Sequence, residues 1–321
     1  MSAAAEPKRR LRILTWHVHG NYLYYLTQVP HDFYLVTDDA RSTHHSGRSG
    51  SLPWGGNVHE ARVEEIPGMS FDVILFQSRQ AWEEEQHRLL TSVQRALPRI
   101  YLEHDPPQQH PTNTQHWAQD PQMLLVHVTH FNALMWDNGV TPSRVIEHGV
   151  KPLVDVRWHG RDESGLVVVN NLERRGRRLG LDVYREAASQ VPLTLVGMSS
   201  EQCGGIGEVP HHMLPERMAA HRFFFNPIRY TSLGLAVIEA MRVGAPVVGL
   251  ATTELASVIR SGVNGVVDTR IDTLVDAMRQ LIADPAEAKR LGEAGRQMAE
   301  ERFGIERFIG DWMSALREVA G

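Results

Sequence analysis

Short apolar runs alternate along the chain with segments whose apolar residues recur at helical spacing. The first series is LRILTWHVHG, HDFYLVTDD, FDVILFQS, RIYLEHDPP, MLLVHVTH and RVIEHGV; the second is GLVVVNN, VPLTLVGM, HRFFFNP, APVVGL and NGVV. Each run suits one buried strand, and the helical stretches between them predict an α/β chain with two successive parallel sheets. The polar, glycine-containing segment Lys151 to Gly165 separates the two series. The expected division is a first domain over 1–155, a second over 156–304 and a C-terminal helix over 305–321 that packs back on the first. Closing helices are expected around Asp272 to Ala283, Ala286 to Arg302 and Ile305 to Val319. The Ser- and Gly-rich loop from Arg41 to Asn57 is expected to be mobile and to lie beside a site.

One helical segment breaks the usual amphipathic pattern. In RYTSLGLAVIEAM, Arg229 to Met241, apolar residues surround a single carboxylate, Glu239. A helix without a broad polar stripe is buried, and a buried carboxylate stays ionised only where donors or a cation meet it. Its partners are either protein groups or the hydroxyls of a ligand.

A chain of 321 residues with 42% hydrophobic content has room for two large cores. One cysteine, Cys203, excludes an intrachain disulfide and fits a reducing compartment. The first residues, MSAAAEPKRRLR, lack an apolar stretch, and nowhere do 18 apolar residues run together, so a cytoplasmic, non-spanning protein is expected. A formal net charge of -5 argues against nucleic-acid binding. It leaves room for peripheral membrane contact through Lys8, Arg9, Arg10 and Arg12.

In open α/β sheets ligands bind at the carboxyl ends of the strands, so the residues after each strand carry the candidate chemistry. After LVVVNN come Arg174, Arg175, Arg177 and Arg178, just before a helix expected near Gly180. Guanidinium forks and a helix N-terminus suit phosphate oxygens. After HRFFFNP, Ser232 and Gly234 precede the Glu239 helix and form a second anion-friendly start. Two such starts with a buried acid beyond the second suit a nucleoside diphosphate, with Glu239 on a vicinal diol such as a ribose. In the first half, Gly20 and Asn21 end the first strand as a donor or acceptor loop, and EHDPP offers His104 as a base or polar contact.

Seventeen histidines raise the question of metal. His127 with His130, His44 with His45, His211 with His212 and His104 with Asp105 each lack the HExxH or paired CxxC spacing, so no metal or cofactor is expected. Walker, GxGxxG and GxSxG motifs are also absent.

PIRYTSLGLAVIEAMRVGAPVV, Pro227 to Val248, resembles the retaining glycosyltransferases of family 4, whose pattern here is P-S-x-x-E-G-F-G-L-x-x-x-E-A-M-A-x-G-x-P-V-V. TTELASVIRSGVNGVV resembles the family's P-E-V-V-x-x-G-x-N-G segment, and EHGV at Glu147 to Val150 is similar to its N-G-V. The resemblance implies a GT-B fold: two Rossmann-like parallel-sheet domains facing a cleft, the first on the acceptor side and the second binding a nucleotide sugar. It implies that Glu239 binds ribose, that Leu233, Gly234 and Leu235 approach the donor's sugar and phosphate, and that Arg174, Arg175 or Arg178 holds the diphosphate. The family's K-G pair corresponds either to Arg175-Gly176 or to Leu179-Gly180, and Asn171 stands at its arginine. His104 would be the active-site histidine. Thr231, eight residues before Glu239, occupies the place of the family's first glutamate and would face the donor sugar. The implied activity is transfer of a sugar to a carbohydrate or lipid-linked hydroxyl acceptor in polysaccharide or glycolipid assembly. The alternatives are a non-catalytic nucleotide-sugar binder or partner subunit, and a sugar-nucleotide epimerase.

Overall fold

Strands buried at every position, such as VILF at 73–76 and MLLVH at 123–127, need cover on both faces, which a parallel sheet between helices provides. The computed structural model of the protein describes residues 9–50, 52–152 and 155–321. Strands β1 (Arg12–Thr15), β2 (Asp32–Thr37), β3 (Val58–Arg62), β4 (Val73–Phe76), β5 (Arg99–Glu103), β6 (Met123–His127) and β7 (Ser143–Val145) form one sheet in the order β3-β2-β1-β4-β5-β6-β7. Its pairings are all parallel. Strands β8 (Asp162–Val168), β9 (Leu193–Val196), β10 (His221–Asn226), β11 (Val247–Leu250) and β12 (Val266–Asp268) form a second parallel sheet, ordered β12-β11-β10-β8-β9.

The chain divides into two units. One comprises residues up to 128, 132–146 and 309–321; the other comprises 129–131 and 147–308. In the first, Leu14, Trp16, Ile74, Phe76, Tyr101 and Leu125 belong to one apolar core. In the second, Val167, Leu179, Val183, Phe223, Phe225 and Val248 do the same. The chain direction across the sheet reverses between β1 and β4 in the first unit and between β8 and β10 in the second. Those two switch points are where a doubly wound sheet opens a crevice.

The closing helices run Ile271–Ala283, Pro285–Arg302 and Ile305–Ala320. One strand is absent from the pattern of apolar runs. β3, VHEAR, buries only Val58 and Ala61, as its place at the sheet edge allows. The loop expected to be mobile is held at described positions near its start. Arg41 donates to both oxygens of Glu60 at 2.7 and 3.0 Å, and the His45 ring bonds Asp38 at 3.1 Å and Glu85 at 2.6 Å.

Candidate functional site

Within the second unit, the chain leaves β8 through Asn171, whose left-handed backbone (φ 54°) turns it into a single helical turn, Leu172–Arg175. A tight turn, Gly176–Leu179, follows, and the next helix, Leu181–Ala188, begins one residue after Gly180. This coil separates the four arginines. Arg177 donates to Asp182 at 2.5 Å, and Arg174 is exposed. Arg175 is partly buried. Arg178 is also partly buried; its Nε is shut off from solvent and finds no hydrogen-bond partner among the described residues.

The loop after β10 locks onto this coil. Backbone N–H groups of Arg229 and Tyr230 both donate to the Arg178 carbonyl, at 3.1 and 3.2 Å. The Arg229 guanidinium grips Asp182 at 2.5 and 2.7 Å and keeps that carboxyl below its ordinary range. Gly180 makes the approach possible. Its φ is +81°, and a Cβ there would lie 1.9 Å from the Pro227 carbonyl oxygen. The strand-end loops singled out in the sequence are thus neighbours across the β8/β10 switch point.

Thr231 and Ser232 are half-buried in the second loop, and Leu233 is buried. Gly234 precedes the helix Leu235–Val243, whose first turn has neither a side-chain cap nor an acidic residue. Its first amides are therefore not met by a capping side chain, which leaves a favourable place for negative charge. Gly234 has an ordinary φ of −69°, and an added Cβ would meet nothing within 4 Å. The fold does not require glycine there.

Glu239 lies in the second turn of this helix, 3% exposed, and His211 Nε2 stands 2.8 Å from its Oε1. A carboxylate only accepts, so the ring nitrogen donates. That bond raises the His211 pKa above its ordinary value against the opposing effect of burial. Of the two kinds of partner open to the buried acid, the chain itself supplies one. His211 was visible in the sequence only as half of a histidine pair; its relation to Glu239 spans 28 positions and depends on the fold.

In the first unit, Gly20 and Asn21 open the helix Gly20–Leu26 at the end of β1. His104 follows β5, is 8% exposed, and lies with its ring 4.2 Å from that of His19 and 4.9 Å from that of Tyr22. His104 thus lies against the residues that flank Gly20 and Asn21, beside the β1/β4 switch point. Gln77, after β4, completes the group. Its amide nitrogen is 2.9 Å from the Trp16 carbonyl, which only accepts, so Gln77 Oε1 is the atom 3.0 Å from His104 Nε2. His104 must therefore carry its proton on Nε2. Beneath it, burial pushes the Glu103 carboxyl up to about 8 and the His116 ring, 3.1 Å away, down to about 4. Burial drives both toward their neutral forms.

Comparison with known proteins fits this geometry. Residues 198–298 match the family Glycosyl transferases group 1. The chain is 32% identical over 130 residues to D-inositol 3-phosphate glycosyltransferase 1 of Catenulispora acidiphila, covering 36% of this chain and 31% of that protein. It is 28% identical over 120 residues to alpha-maltose-1-phosphate synthase of Mycolicibacterium smegmatis, covering 35% and 31%. The matches span about a third of the length of these curated relatives. Among solved structures, sucrose-phosphate synthase of Thermosynechococcus elongatus superposes with a TM-score of 0.71 at 17% identity, over 96% of this chain and 99% of that one. Anabaena HepE in complex with UDP gives 0.70 at 14% identity, over 96% and 100%. The chain has the GT-B fold.

In the GT-B chain the matched segment contains the β10 loop, Glu239 and His211, but not the arginine coil or His104. Among the described residues no group of three or more His, Cys, Asp or Glu side chains is arranged to hold a metal ion. The histidine pairs are used otherwise: His127 bonds Asn138 at 2.9 Å and His45 bridges two carboxylates. The basic start is largely compensated. Arg9 pairs with Asp72 at 2.6 Å, Arg10 with Asp32 at 3.3 Å, and Arg12 lies over the Tyr34 ring; Lys8 is outside the described residues. No described helix is long and apolar enough to cross a membrane.

Proposed function

We propose that this GT-B chain transfers a sugar from a nucleoside-diphosphate donor to a hydroxyl of a carbohydrate or lipid-linked acceptor, with retention of configuration, as a family 4 type enzyme. The observation that carries the reading is the convergence at the β8/β10 switch point. Arg178, with no carboxylate partner among the described residues, and the uncapped helix start at Gly234 adjoin a helix that buries Glu239. Cation and amides suit a diphosphate, and the acid suits the ribose diol. Charge-assisted hydrogen bonds of this kind contribute about 1.5–3 kcal/mol each. Arg174 and Arg175 lie on the same coil and are the further candidates for the diphosphate.

Leu233, Gly234 and Leu235 bring backbone to the donor's sugar and phosphates, with open space over Gly234. In the transfer, the acceptor oxygen bonds to the anomeric carbon as the bond to the diphosphate oxygen breaks. The acceptor's proton leaves with the departing phosphate or through solvent. His104, a fixed Nε2 donor, and the Gly20–Asn21 turn contact sugar or acceptor. Positive charge on the leaving group comes from arginine, without a metal, so transfer persists in EDTA.

Thr231 favours a second reading, a nucleotide-sugar binder without turnover. It has no charge to steady an oxocarbenium-like centre. Its hydroxyl has no hydrogen-bond partner among the described residues and is open to a ligand.

Calorimetry with UDP, GDP, ADP and their sugars, joined to an assay of nucleoside-diphosphate release with an acceptor panel, separates the readings. UDP comes first because Anabaena HepE was solved with it. Donor-dependent transfer that vanishes in Glu239→Ala supports the enzyme. Binding without turnover supports the binder, and full activity in Glu239→Ala overturns the site.

A further inference from the structure

Glu239 is almost wholly buried, yet to hold a ribose its carboxyl group must direct acceptor positions at the diol. Burial alone would protonate such an acid or expel it. Here the acid is met by the His211 ring, presented from the turn His211–Met213 that leads into the helix Leu214–Ala220. We propose that His211 is a positioning residue for nucleotide binding: by donating from Nε2 to Glu239 Oε1 it holds the carboxyl group turned to accept the ribose hydroxyls. The inference rests on the nucleotide-sugar reading of the site and assigns a residue to it that lies outside the resemblance at Pro227 to Val248.

The geometry supports more than packing. The His211 ring meets one carboxylate oxygen, Oε1, and so can fix the group's rotation. The His211 side chain is 23% exposed, and its Nδ1 makes no hydrogen bond within the described chain. The imidazole can therefore gain and lose a proton at Nδ1 without breaking the Nε2 bond. When charged, it compensates the buried carboxylate; when neutral, it still orients it.

Glu239 is the charged group that sets the ring's titration. Along the ring's own segment the titratable neighbours are Glu208, His212, Glu216 and Arg217, and on the Glu239 helix the other charged side chain is Arg242, 3.8 Å from Glu300. An imidazolium adds positive charge to the site, so an anionic nucleotide should bind more tightly while His211 is protonated. Affinity should then fall as pH rises through the elevated His211 pKa.

The test is calorimetric titration with UDP from pH 6.5 to 8.5 on the wild type, His211→Gln and His211→Phe. Glutamine keeps a donor near the Nε2 position but cannot titrate; phenylalanine keeps the ring volume without a donor. The expected result is wild-type affinity that declines with pH, His211→Gln within about threefold of the wild type and flat across the range, and His211→Phe weaker by about tenfold. Ionisation of the UDP phosphate is common to all three and cancels. Wild-type affinity in His211→Phe, an unchanged pH profile in His211→Gln, or equal loss in both variants would overturn the proposal. If His211→Phe does not fold, the glutamine profile decides alone. Failure of the wild type to bind UDP, GDP or ADP would overturn the nucleotide reading itself, which is a separate result.

Discussion

Two glutamates of the second unit are equally buried, at 3% exposure, yet they are met by different chemistry. Glu254 receives the Arg302 guanidinium at 2.9 Å, the Ser257 hydroxyl at 2.6 Å and the Phe131 amide at 2.8 Å. Arg302 is itself anchored to Glu147 at 2.6 Å. These donors are permanent, since a guanidinium does not titrate in proteins. Glu239 instead receives an imidazole whose charge depends on pH and whose pKa this bond raises. Burial alone therefore does not separate the two acids. The permanence of the donor does.

The widest test of that difference is Glu254→Ala. Removing the acid leaves the Phe131 amide and the Ser257 hydroxyl without their acceptor and Arg302 with Glu147 alone, and the expected loss of stability is about 3 kcal/mol by denaturant unfolding. Nucleotide affinity of the folded protein should not change. Glu239→Gln should reverse the pattern, weakening nucleotide binding by about 2 kcal/mol, roughly thirtyfold, with a smaller change in unfolding. If the two variants behave alike, the distinction between the acids fails.

A glycine pair sharpens the same contrast. Gly180→Ala forces a left-handed backbone and a clash with Pro227, and should cost about 2 kcal/mol of stability. Gly234→Ala should leave the melting temperature unchanged while reducing nucleotide affinity, because only a ligand needs that space. The smallest effect is on pH. The His211 pKa is raised on folding, so the stability it contributes is complete below pH 6.5 and is lost as pH rises through its folded value. Melting curves of the wild type should show this slope and those of His211→Gln should not.

Much of this was legible in the chain. Alternating apolar runs located all strands but β3, whose two buried residues are too few to stand out in VHEAR. The burial of Glu239 followed from the apolar residues around it. Its partner did not, because nothing in the sequence links position 211 to position 239. The arginine coil was read as one group, whereas the fold commits Arg177 to Asp182 and leaves Arg178 without a carboxylate among the described residues. The Arg41 to Asn57 loop looked unconstrained because Glu60 and Glu85, which hold its start, lie outside the segment.

The first unit takes in residues 309–321, including Trp312 and Leu316, both with no exposed surface. During synthesis, then, the unit that begins first is completed last. It cannot be finished until the whole of the second unit has been made. Stopping translation after residue 308 would leave the second unit all its residues and the first permanently unfinished. In the cell, loss of the final helix should therefore be felt as aggregation or degradation before any defect in chemistry can be measured.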